Sequence, residues 1–402
     1  MTTAAAGQLA PSPSVASHGT GLHLVTPRSS PARLHVVVAG GGVAGLETVL
    51  ALKALAGRRV DITLVAPHDA FVHRPPAGGP PFDAGARIVR LADVVWELGA
   101  TFVAGTIEAV DVAERVATTG GRDPLAYDAL VLAVGARAVP AVEHAVTWDA
   151  RSGADVVANV LAHAERRSSA NLAVVLPPGP GWPLRACQLA LFLTRHARNL
   201  ALELQTTIVA PPAPLAALGT RVADLASEQL QAEGVQLIPA AGVEVEPGDP
   251  FAVIVHSSVA DLDDDGVCAL PRLDPSRPAP DPDGFLEADA VLALPGARGR
   301  PIAGVPTDAD GLIEVDEHGR VRGLDALWAV GDATAFPVKS GSVAVVGART
   351  VAADIAARCG SPVQCPAVDA TLVEELAGLP RKSLLRGWLS GVSAASPSLA
   401  PV

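Results

Sequence analysis

At 402 residues the chain exceeds what one ordinary core organises and points to two α/β domains with tails. Apolar residues make up 49% but aromatics only 3%, so the core is expected to use Ala and Val on strands and helices. The formal charge of −12 excludes a nucleic-acid partner, which needs a basic stripe, and no long charge-free apolar window suggests a spanning helix, so a cytoplasmic location is expected.

Residues 1–33 are rich in Ala, Ser, Thr, Pro and Gly without periodicity and read as a mobile leader. From Leu34 a buried strand runs to Ala39, Gly40 to Gly42 form a tight turn, 43–55 form a helix stopped by Gly57, and a second strand covers 60–66. A Pro/Gly/His loop fills 67–86, a helix over 87–98 leads into a strand at 101–104, and an antiparallel meander takes 107–112, 115–119 and 129–133. Past Gly135 a linker near 139–146 leads to a second unit. It reads as a strand at 172–176, a Pro/Gly loop at 177–183, a helix at 184–199, a strand at 206–210, a helix at 221–233 and a strand at 235–239. Residues 261–284 form an acidic, Pro-rich excursion; strands follow at 289–294 and 326–330, then a helix from about Ser342.

Cys187, Cys268, Cys359 and Cys365 form no CxxC pair, and no histidines pair at helical spacing beside a carboxylate, so no metal site is expected. The clearest chemistry lies where Val36 to Ala39 run into Gly40-Gly41-Gly42-Val43-Ala44-Gly45 and then a helix. Gly40 permits the turn, Gly42 lets the backbone approach a pyrophosphate, Gly45 allows close helix–strand packing, and the phosphates meet free helix amides. The acid expected roughly twenty residues on is missing, because the next strand ends at Ala66 and Pro67. Asp69 either substitutes or merely caps a turn, and otherwise the ribose falls to backbone and water.

Two more segments follow: Tyr127-Asp128-Ala129-Leu130-Val131-Leu132-Ala133-Val134-Gly135, and Gly323 to Ala333, where Gly331-Asp332 comes directly after a strand. Together with the glycine turn they resemble the signature set of the FAD-dependent pyridine nucleotide-disulfide oxidoreductases, over most of Leu34 to Ala357. The resemblance implies a flavin site at Gly40 to Gly45, Ala66, Gly135 and Gly331, with Asp332 on the flavin sugar chain. Phe71-Val72-His73-Arg74-Pro75 and Gly331 to Lys339 look like the type II NADH dehydrogenase and sulfide:quinone reductase branch, which implies that Val338 and Lys339 lie near the flavin ring. Lys339 is the candidate catalytic group, as a cation that stabilises reduced, anionic flavin; on its own it reads equally as a surface lysine.

The chain departs from that pattern in its second unit. The second nucleotide loop is Gly179-Pro180-Gly181-Trp182-Pro183-Leu184: two prolines remove N–H donors, Leu184 replaces the third glycine, and the next strand ends Ala210-Pro211 without an acid. The loop therefore reads either as a site for NAD(P)H at Gly179 and Gly181 or as a structural turn with Pro183 starting a helix. Cys187 lies within the helix and reads as a structural thiol, which argues against sulfide oxidation. Ala344-Val345-Val346-Gly347-Ala348 stands where the resemblance implies glutamines near the flavin.

The expected fold class is α/β: two Rossmann-like dinucleotide-binding domains of the three-layer ββα type, the second nested in the first. The FAD-binding domain takes 34–145 plus 285–358, the NAD(P)-binding-like domain 146–284, and the tail 359–402. The implied function is an FAD-dependent oxidoreductase passing electrons from NAD(P)H through flavin to a quinone or other small acceptor. A catalytically degenerate scaffold or partner subunit remains the alternative, and a homodimer or protein partner stays open. Residues 376–391, with Arg381, Lys382, Arg386 and Trp388 among leucines, read either as an interfacial helix at a membrane or as one packed on the body or a second subunit.

Overall fold

The computed structural model describes residues 33–73, 87–120, 123–148, 153–166, 169–256 and 285–363. The expected leader (but for Arg33), most of the 67–86 loop, the 261–284 excursion, the 376–391 helix, Cys268 and Cys365 lie outside the described residues.

Leu34–Ala39 and Val60–Ala66 are joined by α1 (Val43–Ala56) in a βαβ unit, and they pair in parallel from Leu34 against Val60 to Ala39 against Val65. The parallel sheet continues through Thr101–Ala104 on one side and through Ala129–Leu132 and Leu327–Ala329 on the other. Its central strands are apolar on both faces, as a sheet covered on both sides requires. α1 is apolar nearly all round and is buried from Ala44 to Leu52, the sign of a helix with neighbours on every side. Each fully buried Val or Leu in this layer contributes about 1.5–3 kcal/mol.

Between Phe71–His73 and Thr101–Ala104 the expected helix over 87–98 divides. Arg87–Val89 pairs antiparallel with Phe71–His73, and only α2 (Leu91–Glu97) is helical. The β-branched pair Ile88-Val89 favours the extended state, and Asp69 marks the break by accepting from the Ala92 amide at 2.7 Å. The expected meander also divides. Ile107–Asp111, Val116–Thr119 and Leu125–Ala126 form an antiparallel sheet, whereas Ala129–Leu132 leaves it for the parallel sheet because all its residues are buried.

α3 (Gly153–Arg166) lies in the chain between Val146–Thr147 and Ser169–Val175 of the second parallel sheet, whose order is Val146–Thr147, Ala290–Ala293, Ser169–Val175, Glu203–Ala210, Gln236–Pro239. α4 (Pro183–Asn199) and α5 (Thr220–Ala232) make its crossovers. All of these strands fall in sequence between Ala129–Leu132 and Leu327–Ala329 of the first sheet, so the second α/β unit is nested in the first. Ala290–Ala293 belongs to the second sheet; we therefore place the return boundary after Ala293 rather than at 285. Arg137–Val139 and Gly296–Arg298 pair antiparallel where the chain leaves and re-enters the first unit. A further antiparallel sheet of Gly242–Glu246, Phe251–His256 and Phe285–Ala288 was not expected.

The two units repeat one device. Asp128 accepts from the His35 amide at 2.7 Å while its own amide donates to His35 O at 2.9 Å. Asp289 does the same with Asn171, at 2.8 Å in both directions. In each case an Asp before an Ala-Leu/Val run pins the start of a parallel strand to the strand that precedes the glycine loop.

α6 (Gly341–Arg358) closes the first unit, capped by Ser340, whose hydroxyl accepts from the Val343 amide at 3.1 Å. On its buried side Asp354 accepts from Arg320 Nε at 2.8 Å and from the Trp328 indole at 2.9 Å, while the Arg358 guanidinium lies 4.7 Å over the Trp328 ring. Burial pushes the Asp354 carboxyl up, but the hydrogen bonds and charges of Arg320, Trp328 and Arg358 prevail and hold it below the usual carboxylate range.

Candidate functional site

The first site is built where Leu34–Ala39 ends. Gly40 has φ +122°, and a Cβ there would stand 2.1 Å from Ala133 O. A Cβ on Gly45 would lie 1.8 Å from Gly40 O, so only glycine lets α1 pass this close to the turn. Gly42 differs: an added Cβ meets nothing within 4 Å, and no side chain caps α1 at this N-cap. The first-turn amides of Val43, Ala44 and Gly45 therefore face a space that glycine keeps clear, which fits a phosphate-bearing ligand. Gly41 points elsewhere, towards Leu91 and Ala66.

Ala66 is buried and brings no carboxylate to the strand end. Asp69 does not replace it. One oxygen accepts from the Ala92 amide at the start of α2 and the other takes Arg90 at 3.0 and 3.2 Å, so Asp69 caps this helix rather than a turn of its own loop. The Ala92 amide is the chief cause that holds its carboxyl low.

Gly331–Ala333 forms a single 3-10 turn directly after Leu327–Ala329. Gly331 has φ +74°, and a Cβ there would lie 2.8 Å from Ala44 Cβ and 3.6 Å from Ala344 Cβ. The turn is thus wedged between the first turns of α1 and α6, which sets Asp332 beside the glycine loop. No donor among the described residues hydrogen-bonds the Asp332 carboxylate. Burial raises its pKa above the ordinary value, opposed by the charge of Lys339. Gly135, with φ +69°, opens onto unfilled space at the end of Ala129–Leu132.

Lys339 is 2% exposed, which removes the surface-lysine reading. Its Nζ donates to Thr334 O, and the charges of Asp332 and Asp308 act on it. Burial pulls its pKa down to about 8 against the pull of those two acids. The Lys339 amide donates to Gly181 O at 2.6 Å, and the Gly181 amide donates to Pro337 O at 3.0 Å. This parallel bridge between Gly181 and Val338 joins the second glycine loop to the segment that follows Asp332. Val338 is buried in the core of the second unit.

In the second loop Gly179 has φ +90° and an open Cβ position, Trp182 is the N-cap of α4, and Pro183 starts the helix. Behind it lies a cavity of ≈ 120 Å³ lined by Leu176, Ala186, Cys187, Ile208, Leu215 and Leu230. Its walls are aliphatic, and burial pushes the Cys187 thiol up to about 11. Cys187 is therefore a neutral core thiol at physiological pH. Cys359 caps the far end of α6, about 20 Å along the helix from the turn of Asp332, and its thiol donates to Ala356 O at 3.1 Å. Ala344, Val345, Val346 and Ala348 are buried apolar residues, and a Cβ on Gly347 would lie 2.9 Å from Val330 Cγ2. This run serves close packing of α6 on the first sheet.

Sequence reasoning missed Asp308 beside Lys339, and it missed the cluster of Arg320, Trp328 and Asp354. Asp354 and Arg358 stand at helical i,i+4 spacing, the one signal that pointed to the cluster. Among the described residues no group of His, Cys, Asp and Glu is arranged to hold a metal, and no helix is long and apolar enough to cross a membrane.

Residues 34–357 match the pyridine nucleotide-disulphide oxidoreductase family. No curated protein matches the chain. Among solved structures, the sulfide:quinone oxidoreductase of the hyperthermophilic bacterium Aquifex aeolicus is similar at 19% identity, with 82% of this chain and 78% of that chain covered and a TM-score of 0.60. A ferredoxin reductase of Rhodopseudomonas palustris gives 21% identity, coverage of 84% and 78%, and a TM-score of 0.48. NDH2 of Plasmodium falciparum, solved with NADH, gives 14%, 75% and 64%, and 0.49.

Proposed function

Since the chain belongs to the pyridine nucleotide-disulphide oxidoreductase family, whose members are FAD-dependent oxidoreductases using NAD(P)H, we propose that it passes electrons from a nicotinamide nucleotide through FAD to a quinone or another small acceptor. The observation that carries this reading is the wedge of Gly331 against Ala44, which sets a carboxylate lacking a hydrogen-bond donor beside an uncapped, glycine-cleared helix start.

FAD supplies two-electron acceptance and release when bound. The residues do the holding. The amides of Val43, Ala44 and Gly45 take the diphosphate, with Gly40 and Gly42 allowing its approach. Asp332 accepts from a hydroxyl of the flavin sugar chain, which satisfies its buried oxygens. The charge of Lys339 opposes the rise that burial imposes on the Asp332 carboxyl, and beside a bound flavin it would favour the negative charge that reduction adds. Gly135 keeps the opposite wall clear. The second unit, with Gly179 and Gly181, receives the nicotinamide nucleotide, and the Gly181–Val338 bridge sets its loop against the flavin side of the first unit. The sequence segments 71–75 and 331–339 support the type II NADH dehydrogenase and sulfide:quinone reductase branch, while the buried, neutral Cys187 speaks against sulfide as the electron donor.

The test is anaerobic mixing of the FAD-loaded protein with NADH and, separately, NADPH, followed by a short-chain quinone. Bleaching by one nucleotide and recovery with the quinone is expected. Flavin that neither nucleotide bleaches would overturn the donor, and bleached flavin that the quinone leaves unchanged would overturn the acceptor.

A further inference from the structure

The second glycine loop lacks most of the amides with which such a loop holds a diphosphate. Pro180 and Pro183 have no N–H, the Gly181 amide is given to Pro337 O, and the amides of Arg185 and Ala186 both donate to Trp182 O. An anion arriving there must be met by something else.

Arg185 stands in the first turn of α4, and its guanidinium lies 5.5 Å from the centre of the Trp148 ring. Trp148 is buried, and its amide donates to the carbonyl of Ala293 at 2.8 Å, at the carboxyl end of Ala290–Ala293. Ser169–Val175 lies between Ala290–Ala293 and Glu203–Ala210, and the chain order reverses at that strand. A residue on α4 that reaches Trp148 therefore crosses the carboxyl edge of the sheet at its switch point, where open α/β sheets bind their ligands. No carboxylate, carbonyl or hydroxyl among the described residues accepts from this guanidinium. Burial lowers its pKa, with no acid opposing the shift. A half-buried cation without a counter-charge is costly, and an anionic ligand removes that cost.

We propose that Arg185, stacked on Trp148, is the phosphate-recognising residue of the second unit and takes the diphosphate of the nicotinamide dinucleotide in place of the missing loop amides. The guanidinium fork matches two phosphate oxygens at once, and Trp148 fixes the direction of the fork before the ligand arrives. This deepens the proposed function and rests on its assignment of the second unit to the nicotinamide nucleotide.

The probe is ADP, titrated calorimetrically into FAD-loaded protein so that the first site is filled. Arg185→Gln is expected to weaken ADP by roughly ten- to hundred-fold, and Arg185→Lys by less, because it keeps the charge and loses the fork. Flavin content and melting temperature are followed in parallel, and both are expected to stay near the parent values in the lysine variant. Equal ADP affinity in the parent and both variants, with NAD(P)H still bleaching the flavin, would overturn the role of Arg185 and leave the proposed function standing. A parent protein that binds neither ADP nor NAD(P)H would overturn both.

Discussion

The amide of Lys339 donates to the carbonyl of Gly181 at 2.6 Å, and through that bond the glycine loop of one sheet is fixed to the segment that follows the Gly-Asp turn of the other. The same residue carries the buried ammonium behind Asp332. One lysine thus joins the register of the two units by its backbone to the electrostatics of the first site by its side chain.

That side chain predicts a pH dependence. The Lys339 pKa lies at about 8 in the fold, below the 10.5 of a free lysine. Between those values the unfolded chain binds the extra proton, so stability rises with pH across this window, and the penalty for the buried charge is fully present below it. The penalty is on the order of 3 kcal/mol. Denaturant midpoints measured from pH 7.5 to 10.5 should climb in the parent, and the Lys339 contribution to that climb should vanish in Lys339→Met.

Gly42 and Gly45 separate ligand binding from folding. Gly45→Ala drives a methyl into the Gly40 carbonyl and should cost both stability and FAD. Gly42→Ala places its methyl in open space with φ at −83°, so stability should fall by less than about 1 kcal/mol while FAD retention drops. Thermal melts and flavin content of the two variants read these outcomes directly.

Cys187 should be chemically silent. Its pKa of about 11 leaves almost no thiolate at neutral pH, so alkylation of the native protein should be slow, and Cys187→Ala should keep NAD(P)H turnover while losing about 1 kcal/mol of stability. Loss of turnover in this variant would restore a redox role for the thiol.

Asp354→Asn removes the negative charge that Arg320 and Arg358 both face. Chemical denaturation should show a loss of roughly 3 kcal/mol, with flavin content unchanged. Because the Asp354 carboxyl is held low in the fold, its contribution is present above the ordinary carboxylate pKa and disappears as pH falls through the folded value.

Much of the fold was legible because its strands are short apolar runs next to glycine or proline: Leu34–Ala39 and Val60–Ala66 match their expected bounds. α3 escaped although Val156, Val160 and Ala164 mark its buried stripe at i,i+4 spacing. Ala129–Leu132 was assigned to the wrong sheet, because period alone does not say which neighbour a fully buried strand takes. At the candidate site, the tight turn at Gly40 to Gly45 was readable from the run of strand, glycines and helix, whereas Asp332 was singled out only through the family resemblance. The inward turn of Lys339, the capping of α2 by Asp69 and the pairing of Arg185 with Trp148 were not readable, since each depends on which elements the topology sets side by side.

The central claim is that the loop from Gly40 to Gly45 and Asp332 together hold FAD. The most direct measurement is FAD stoichiometry from the visible flavin bands of the parent and of Asp332→Ala after reconstitution and gel filtration. One FAD per chain in the parent and loss of most of it in the variant is the predicted result. A parent chain that retains no flavin, or a variant that retains as much as the parent, would contradict it.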